Sequence, residues 1–373
     1  MLRLRLNLAI LVARIVGRLS QLLGNQGETL PGRILLAIAP EAISLLARDK
    51  EVILISGTNG KTSTTKAVAS LISQLGAVDT STSGSNLAWG VASALASRSP
   101  YAVLEIDELH LPTMIAQTDP TIVLLLNLTR DQLHRMHEVK RVADRWHVEC
   151  AEATDTVFVA DIDDPYINYS TMSAQNVVRV SFGGRSHPDG SVCPNCGSYL
   201  TWIRGNYSCS CGLTNKICEI KLKKGSAAYR NAALANIVAE IAGAEPRIFS
   251  EIELERSVVK TFGKKRANFR LTKNPASWTE ALKSELHSDV ILILNARQVD
   301  GIDTSWIWDV SFAALKGHRV IVCGERALDL AYRIHVEGIS LESVNTFEEA
   351  LALTHGNEIS VLSAYTAFFE LAM

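Results

Sequence analysis

The sequence lacks an excess of charge of either sign: 37 Lys and Arg stand against 39 Asp and Glu, for a net charge of -2 over 373 residues. No global field therefore draws the chain to nucleic acid, and any polyanionic ligand has to be held by a local site. Also missing is an uninterrupted apolar run of the roughly 20 residues that a bilayer span takes. The apolar opening, MLRLRLNLAILVARIVGRLSQLL, is broken by Arg3, Arg5, Arg14 and Arg18, and it shows no small-residue cleavage site of the kind that ends a secretory signal. Long low-complexity stretches and internal repeats are absent, which sets aside fibrous and solenoid architectures.

A hydrophobic fraction of 47% over this length is enough for a substantial core divided between two or three domains. The arginine-bearing opening segment reads as a surface or docking helix. Two readings of it stay open: packing on its own domain, or contact with a membrane surface. Four of the seven cysteines crowd into one short segment with metal-ligand spacing. That pattern points to a reducing cytoplasm and a metal site in preference to a disulfide framework.

From about residue 51, apolar β-rich runs alternate with helical stretches: EVILIS and a helix from Lys61, YAVLEI and a helix, TIVLLLNL and an amphipathic stretch, then TVFVA and VVRVSF. Continuous apolar runs such as Ile122 to Leu126 suit strands buried on both faces of a parallel sheet. The periodicity breaks near Gly183 and gives way to an inserted module at about 185–223. Helical pattern is read again over Ala227–Ala242 and Glu251–Phe262. Beyond lie a helix near Ala276 and the strands DVILILN, HRVIVCG and ISVLSA with their helices. The expected organisation is thus α/β throughout: a helical segment at 1–50, a middle domain at 51–263 and a smaller α/β domain at 264–373.

Gly57-Thr58-Asn59-Gly60-Lys61-Thr62-Ser63 forms a glycine-rich turn between a buried strand and a helix start. Loop amides and the positive helix end can cradle phosphates there, Lys61 can neutralise their charge, and Thr62 can ligate a magnesium ion. The general phosphate-loop pattern has glycine at position 55, where this chain has Ile55.

Cys193 and Cys196 form a C-x-x-C pair, and Cys209 and Cys211 a C-x-C pair, with a glycine after each. Two such knuckles turn four thiolates toward one tetrahedral point, the geometry of a structural zinc ribbon, here expected to hold Zn2+. A nucleic-acid-reading ribbon is the alternative, but few basic residues surround this one. Cys150 and Cys323 read as buried thiols.

The shortened loop GTNGKT resembles that of the Mur ligases and folylpolyglutamate synthases. Glu105-Ile106-Asp107-Glu108 is similar to that family's EIDE, which implies a magnesium role for Glu105. Asn127 to Leu133 is similar to its N-x-x-RDQLDR segment, with His134 in place of the usual aspartate. Asp161 to Pro165 is similar to its N-A-D-D-P. By the same resemblance Asn231 and Arg266 join the nucleotide pocket, giving an ATP and Mg2+ site of Gly57, Thr58, Asn59, Gly60, Lys61, Thr62, Ser63, Glu105, Asn127, Asn231 and Arg266.

Only about 50 residues precede the loop, where Mur ligases ordinarily carry a domain for a UDP-linked precursor. Together with the ribbon, the Lys273-Asn274-Pro275-Ala276 segment and the stretch Asp303-Thr304-Ser305-Trp306-Ile307-Trp308-Asp309, this resembles the MurT-type subunits of lipid II isoglutaminyl synthases. The resemblance implies ATP-dependent amidation of the D-glutamate α-carboxylate of the lipid II stem peptide, with ammonia from a GatD-type glutaminase partner in a heterodimer or larger complex. It further implies that Asp303 completes the partner's catalytic triad by orienting its histidine. Val322-Cys323-Gly324 lacks the glycine two residues before the cysteine that a nucleophile elbow needs, so the glutaminase is not expected in this chain. Two other readings follow from the same residues: a partner-independent Mur or folate-type amino-acid ligase, and a phosphate-loop ATPase that uses its ribbon on nucleic acid.

Overall fold

A computed structural model of the chain describes residues 2–22, 29–81, 87–131, 138–247, 257–298 and 300–373. It divides into two compact units, Met1–Leu128 with Val139–Glu253, and Thr129–Glu138 with Leu254–Met373.

The first unit opens with helices α1 (Leu2–Leu22), α2 (Thr29–Ile38) and α3 (Ala42–Ala47), and then alternates strand and helix. In order come β1 (Glu51–Ser56), α4 (Lys61–Ile72), β2 (Val78–Thr80), α5 (Ala88–Leu95), β3 (Tyr101–Ile106), α6 (Leu111–Thr118) and β4 (Ile122–Leu125). They are followed by α7 (Val139–Glu152), β5 (Val157–Asp161), α8 (Pro165–Ser170) and β6 (Asn176–Ser181). The hairpin β7 (Thr201–Ile203) and β8 (Asn206–Ser208), strand β9 (Ile220–Lys221) and helix α9 (Ala227–Ile241) complete the unit. Seven strands form one sheet in the order β2-β3-β1-β4-β5-β6-β9, and every pairing in it is parallel.

Burial explains the strand sequences. β1, β3 and β4 are covered on both faces, and Ile53, Ile55, Val103 and Leu124 pack with Val68, Leu71 and Ile72 of α4 and with Leu234 and Val238 of α9. Fully burying each such side chain is worth about 1.5–3 kcal/mol. The chain leaves β1 toward β2 on one side and β4 toward β5 on the other. Neighbouring strands with diverging connections open a crevice at their carboxyl ends, where α/β sheets bind ligands.

The second unit contains β10 (Ser257–Phe262), β11 (Lys265–Leu271), α10 (Pro275–Lys283), β12 (Asp289–Ile293), β13 (Arg319–Cys323), α11 (Ala327–Val336), β14 (Leu341–Ser343), α12 (Phe347–Leu353), β15 (Glu358–Ser363) and α13 (Tyr365–Leu371). The sheet order is β10-β11-β15-β12-β13-β14, with only β10 and β11 antiparallel. Alternate residues feed two cores. Val290, Leu292, Val320 and Val322 face Trp278, Leu330 and Ile334, while Ile291, Ile293 and Ile321 face Phe347 and Phe368. Helix starts are capped locally: Asn274 with Ser277 and Thr346 with Glu349 form reciprocal capping boxes.

One element differs from its sequence reading. The helix expected over Glu251–Phe262 is, in its described part, strand β10, and residues 251–256 lie outside the described residues. SVVKTF alternates half-buried and exposed positions, and Gly263, with φ +60, turns it back onto β11. The hairpin belongs to the second sheet, so Ser257–Phe262 goes with the second unit and not, as the expected 263/264 boundary had it, with the first.

Candidate functional site

The phosphate loop joins β1 to α4. Gly57 has φ +142, and a Cβ there would lie 2.9 Å from the Asn127 carbonyl oxygen. Gly60 has φ +87, and a Cβ there would lie 2.2 Å from Asn231 Nδ2. Both positions are therefore closed to side chains, by backbone conformation and by space.

Asn127, just past β4, braces the loop. Its carbonyl accepts from Thr58 N at 2.8 Å, its Oδ1 accepts from Asn59 N at 3.0 Å, and its Nδ2 donates to Asn59 O at 2.8 Å. Asn231 of α9 closes over Gly60 from another direction. Asn127 bonds the loop's backbone and so fixes its shape, while Asn231 packs against Gly60 and keeps that position closed to a side chain.

Lys61 is buried. Its Nζ donates to Gly57 O at 2.5 Å and pairs with Glu108 Oε2 at 3.1 Å. Glu108 stands in the EIDE segment, but only the fold places it opposite Lys61, and the sequence reading gave it no role. Glu105 is the penultimate residue of β3, beside β1 and opposite Ile55. It is buried, and its Oε2 has no hydrogen-bond partner among the described residues. An orphaned carboxylate oxygen on the strand next to the loop suits a hard cation that prefers oxygen ligands, and Mg2+ fits it. Thr62 and Ser63 open α4 as expected.

The Asp161-to-Pro165 segment is structural. Arg230 pairs with Asp161 and, at 3.2 Å, with Asp163. Asp163 also accepts from Ser181 Oγ, Asn215 Nδ2 and the Phe182 and Gly184 amides. Asp164 caps α8, accepts from Leu128 N and meets His187 Nε2 at 3.0 Å. Burial works against its charge, but His187, Arg185 and the Leu128 amide outweigh burial and hold its carboxyl below the usual carboxylate value. Arg230, Asn215 and His187 had no part in the sequence reading, because they contact this segment from far along the chain.

Cys193, Cys196, Cys209 and Cys211 place their sulfur atoms within 4.8 Å of one another. Sγ of Cys193 lies 3.7 Å from that of Cys211, and Sγ of Cys196 lies 3.4 Å from that of Cys209. Thiolates about 2.3 Å from one tetrahedral zinc sit about 3.8 Å apart, so the cluster fits that ion. The ribbon is tied to the main sheet through Tyr207, whose hydroxyl donates to Ile162 O at 2.9 Å, and through the Asn215–Asp163 bond. Cys218 stands outside the cluster. Cys150 and Cys323 are buried, as expected, and burial pushes the Cys323 thiol up to about 12, far from nucleophilic use.

In the second unit Asp303 lies just before a 3-10 turn over Ser305–Asp309, and its Oδ1 accepts from Ser305 N at 2.8 Å. It lines an open groove of about 340 Å³ with Ile302, Trp308, Arg326 and Asp329. Around it Ile302, Trp308, Leu328 and Tyr332 are more than half exposed, and the Trp308 and Tyr332 rings meet at 6.2 Å. Thr129–Glu138 belongs to this unit: Arg130 pairs with Asp309 at 2.8 Å, and Asp131 pairs with Lys273. Gln132, Leu133 and His134 lie outside the described residues. Arg266, expected at the nucleotide, also lies in this unit, exposed on β11 and paired with Glu358 at 3.0 Å.

Residues 55–209 match the Mur ligase middle domain, and residues 271–368 match the MurT ligase C-terminal domain. The chain is 26% identical to the MurT subunit of the glutamine-hydrolysing lipid II isoglutaminyl synthase of Staphylococcus aureus strain N315, covering 89% of this chain and 88% of that protein. It is equally 26% identical to the MurT subunit of Streptococcus pneumoniae strain R6, covering 98% and 96%. Its fold is similar to that of a pseudomurein peptide ligase type C from Methanothermus fervidus, with TM-score 0.66 and 15% identity over 87% of this chain and 78% of that one. It is also similar to that of the MurF ligase of Thermotoga maritima in complex with ADP, with TM-score 0.60 and 15% identity over 90% and 81%. With a Mur ligase middle domain and a MurT-type carboxy-terminal domain in one chain, this protein is a Mur-ligase-type ATP-dependent ligase that resembles the MurT subunits along most of its length.

Proposed function

We propose that the chain is the ATP-using subunit of a lipid II isoglutaminyl synthase acting in cytoplasmic peptidoglycan synthesis, and that it amidates the D-glutamate α-carboxylate of the stem peptide. The observation that carries this reading is the buried Lys61 in a glycine loop beside the orphaned Glu105 oxygen, in a chain whose other domain matches a MurT carboxy-terminal domain.

A carboxylate has no good leaving group. In the proposed reaction a carboxylate oxygen attacks the γ-phosphorus of ATP, and the bond to the β-bridging oxygen breaks, giving an acyl phosphate and ADP. Ammonia then adds to the acyl carbon, inorganic phosphate leaves and a proton is lost, giving the amide. Bound through Glu105 and Thr62, Mg2+ would offset the charge of the nucleotide's phosphates. Lys61 and the loop amides hold the transferring phosphoryl group, and Asn127 and Asn231 keep that loop in shape for it.

Ammonia is taken to come from a GatD-type glutaminase bound at the Asp303 face. Exposed aromatic and aliphatic side chains around one carboxylate suit a protein interface, where Trp and Tyr anchors dominate. There Asp303 would orient the partner's histidine. The four-cysteine ribbon is read as a structural Zn2+ site, closed to catalysis by its four thiolates.

The test is amidation of lipid II by the purified chain with ATP and ammonium, followed by mass spectrometry, and then with glutamine and a glutaminase partner. Ammonium-dependent amide formation supports the reading. Joining of an amino acid to the carboxylate in place of ammonia would overturn it in favour of a partner-independent ligase.

A further inference from the structure

We propose that α1 docks on the surface of an anionic lipid bilayer, lying in the headgroup plane with its outer face in the acyl boundary. Leu6, Ala9 and Ala13 are buried against the rest of the unit. On the opposite side Leu4, Leu8, Leu11 and Ile15 are 77%, 56%, 55% and 51% exposed. Spacings of four, three and four residues align these side chains in one stripe along the helix. They form a continuous aliphatic face that nothing in the described residues covers.

The charges around the stripe choose its occupant. Residues 2–22 contain Arg3, Arg5, Arg14 and Arg18 and no Asp or Glu. At 3.6 residues per turn, Arg3, Arg14 and Arg18 flank one side of the stripe and Arg5 the other. Arg3 and Arg18 are exposed, and Arg14 reaches only a backbone carbonyl, Ala96 O at 3.1 Å. Arg5 also pairs with Glu41 at 3.7 Å, so the uncompensated charge lies on the Arg3, Arg14 and Arg18 side, and an apolar stripe flanked by such arginines is the pattern of a helix lying on anionic lipid. A second copy of the chain is a poor fit, because a two-fold contact would bring arginine rows together with no acid on α1 itself to offset them. The Asp303 face offers the contrast: aromatic rings with Arg326 and Asp329 mixed among them suit a protein. No described helix is long and apolar enough to cross a membrane, so α1 would lie on the surface.

This inference goes beyond the proposed function, which needs a lipid-linked substrate but no bilayer contact by the protein. It is tested on the full chain with vesicles that contain no lipid II, so its failure is separable from failure of the catalytic reading. Co-sedimentation is expected with phosphatidylcholine vesicles containing phosphatidylglycerol, much weaker with pure phosphatidylcholine, and reduced by salt. Leu8→Glu with Leu11→Glu should abolish binding while ATP turnover with ammonium in detergent stays unchanged. Arg3→Ser and Arg18→Ser, which leave the apolar stripe intact, should each weaken it roughly fivefold. Thermal melting identifies a variant that has lost its fold. Absent binding to anionic vesicles, equal binding by wild type and the Leu8/Leu11 variant, or an apolar stripe that instead controls dimerisation would each overturn the proposal.

Discussion

The phosphate loop and the Asp303 groove are built on opposite plans. Around the loop Lys61 and Glu105 are buried, and the unit braces its own parts: Lys61 by Glu108 and Gly57, the loop backbone by Asn127. Around Asp303 the carboxylate and the rings beside it face outward. One arrangement is preorganised and self-sufficient, and the other is half of something. The difference teaches where to expect independence: chemistry at the loop should survive without a partner, and chemistry at Asp303 should not.

The widest separation between the two should come from Asp303→Asn in a complex with the proposed glutaminase. An amide there favours the wrong histidine tautomer, and the equivalent change in a serine-protease triad costs roughly 10⁴-fold. Glutamine hydrolysis should fall on that order, while ATP binding and ammonium-supported amidation persist. Full glutaminase activity in the variant would remove Asp303 from the triad.

Next in size, Lys61→Ala should lower amidation from glutamine and from ammonium alike, by on the order of 10²–10³-fold, the cost of losing one preorganised donor at a developing charge. Glu105→Ala should behave similarly and raise the Mg2+ concentration needed for turnover. If either variant spared the ammonium reaction, the loop would not be the shared centre that the comparison makes it.

Trp308→Ala or Tyr332→Ala should weaken partner binding, measured by titration calorimetry, by about 2 kcal/mol or roughly 30-fold, as for a hot-spot aromatic. Ammonium-supported turnover should not change. Unaltered affinity would move the docking face elsewhere.

The smallest effect on turnover is expected from Cys193→Ser. Wild-type protein purified without chelator should contain one zinc per chain, and the variant should lose it. In isolated fingers zinc contributes about 10 kcal/mol or more of folding free energy, so the loss should appear in melting and proteolysis of the ribbon before it appears in catalysis. Zinc-free wild-type protein would contradict the ribbon reading.

Legibility in the sequence followed the range of the interactions. The glycine loop, the cysteine knuckles and the buried strands are local patterns, each set by neighbours within a few residues, and they were readable for that reason. Glu108 was visible within its motif, yet its pairing with Lys61 needs the β1–β3 register. Arg230 and Asn215 reach the Asp163 carboxylate across 67 and 52 residues, a distance that no spacing rule covers. Strand β10, against the helix expected there, carries a local hairpin signal: SVVKTF has β-branched Val258, Val259 and Thr261, and a two-residue turn with Gly263 follows.

Strands β6 and β9 lie side by side and parallel, Val180 against Ile220, with the cysteine ribbon as the only chain between them. Parallel neighbours usually join through a helix, which needs nothing but its own backbone. Here a cysteine ribbon takes the helix's place, anchored by Tyr207 and Asn215, and under the proposed zinc reading the return of the last strand would also depend on four thiolates holding an ion. A sheet edge held by zinc would be exposed to oxidants, chelators and metal starvation, hazards to which a helical crossover would be indifferent.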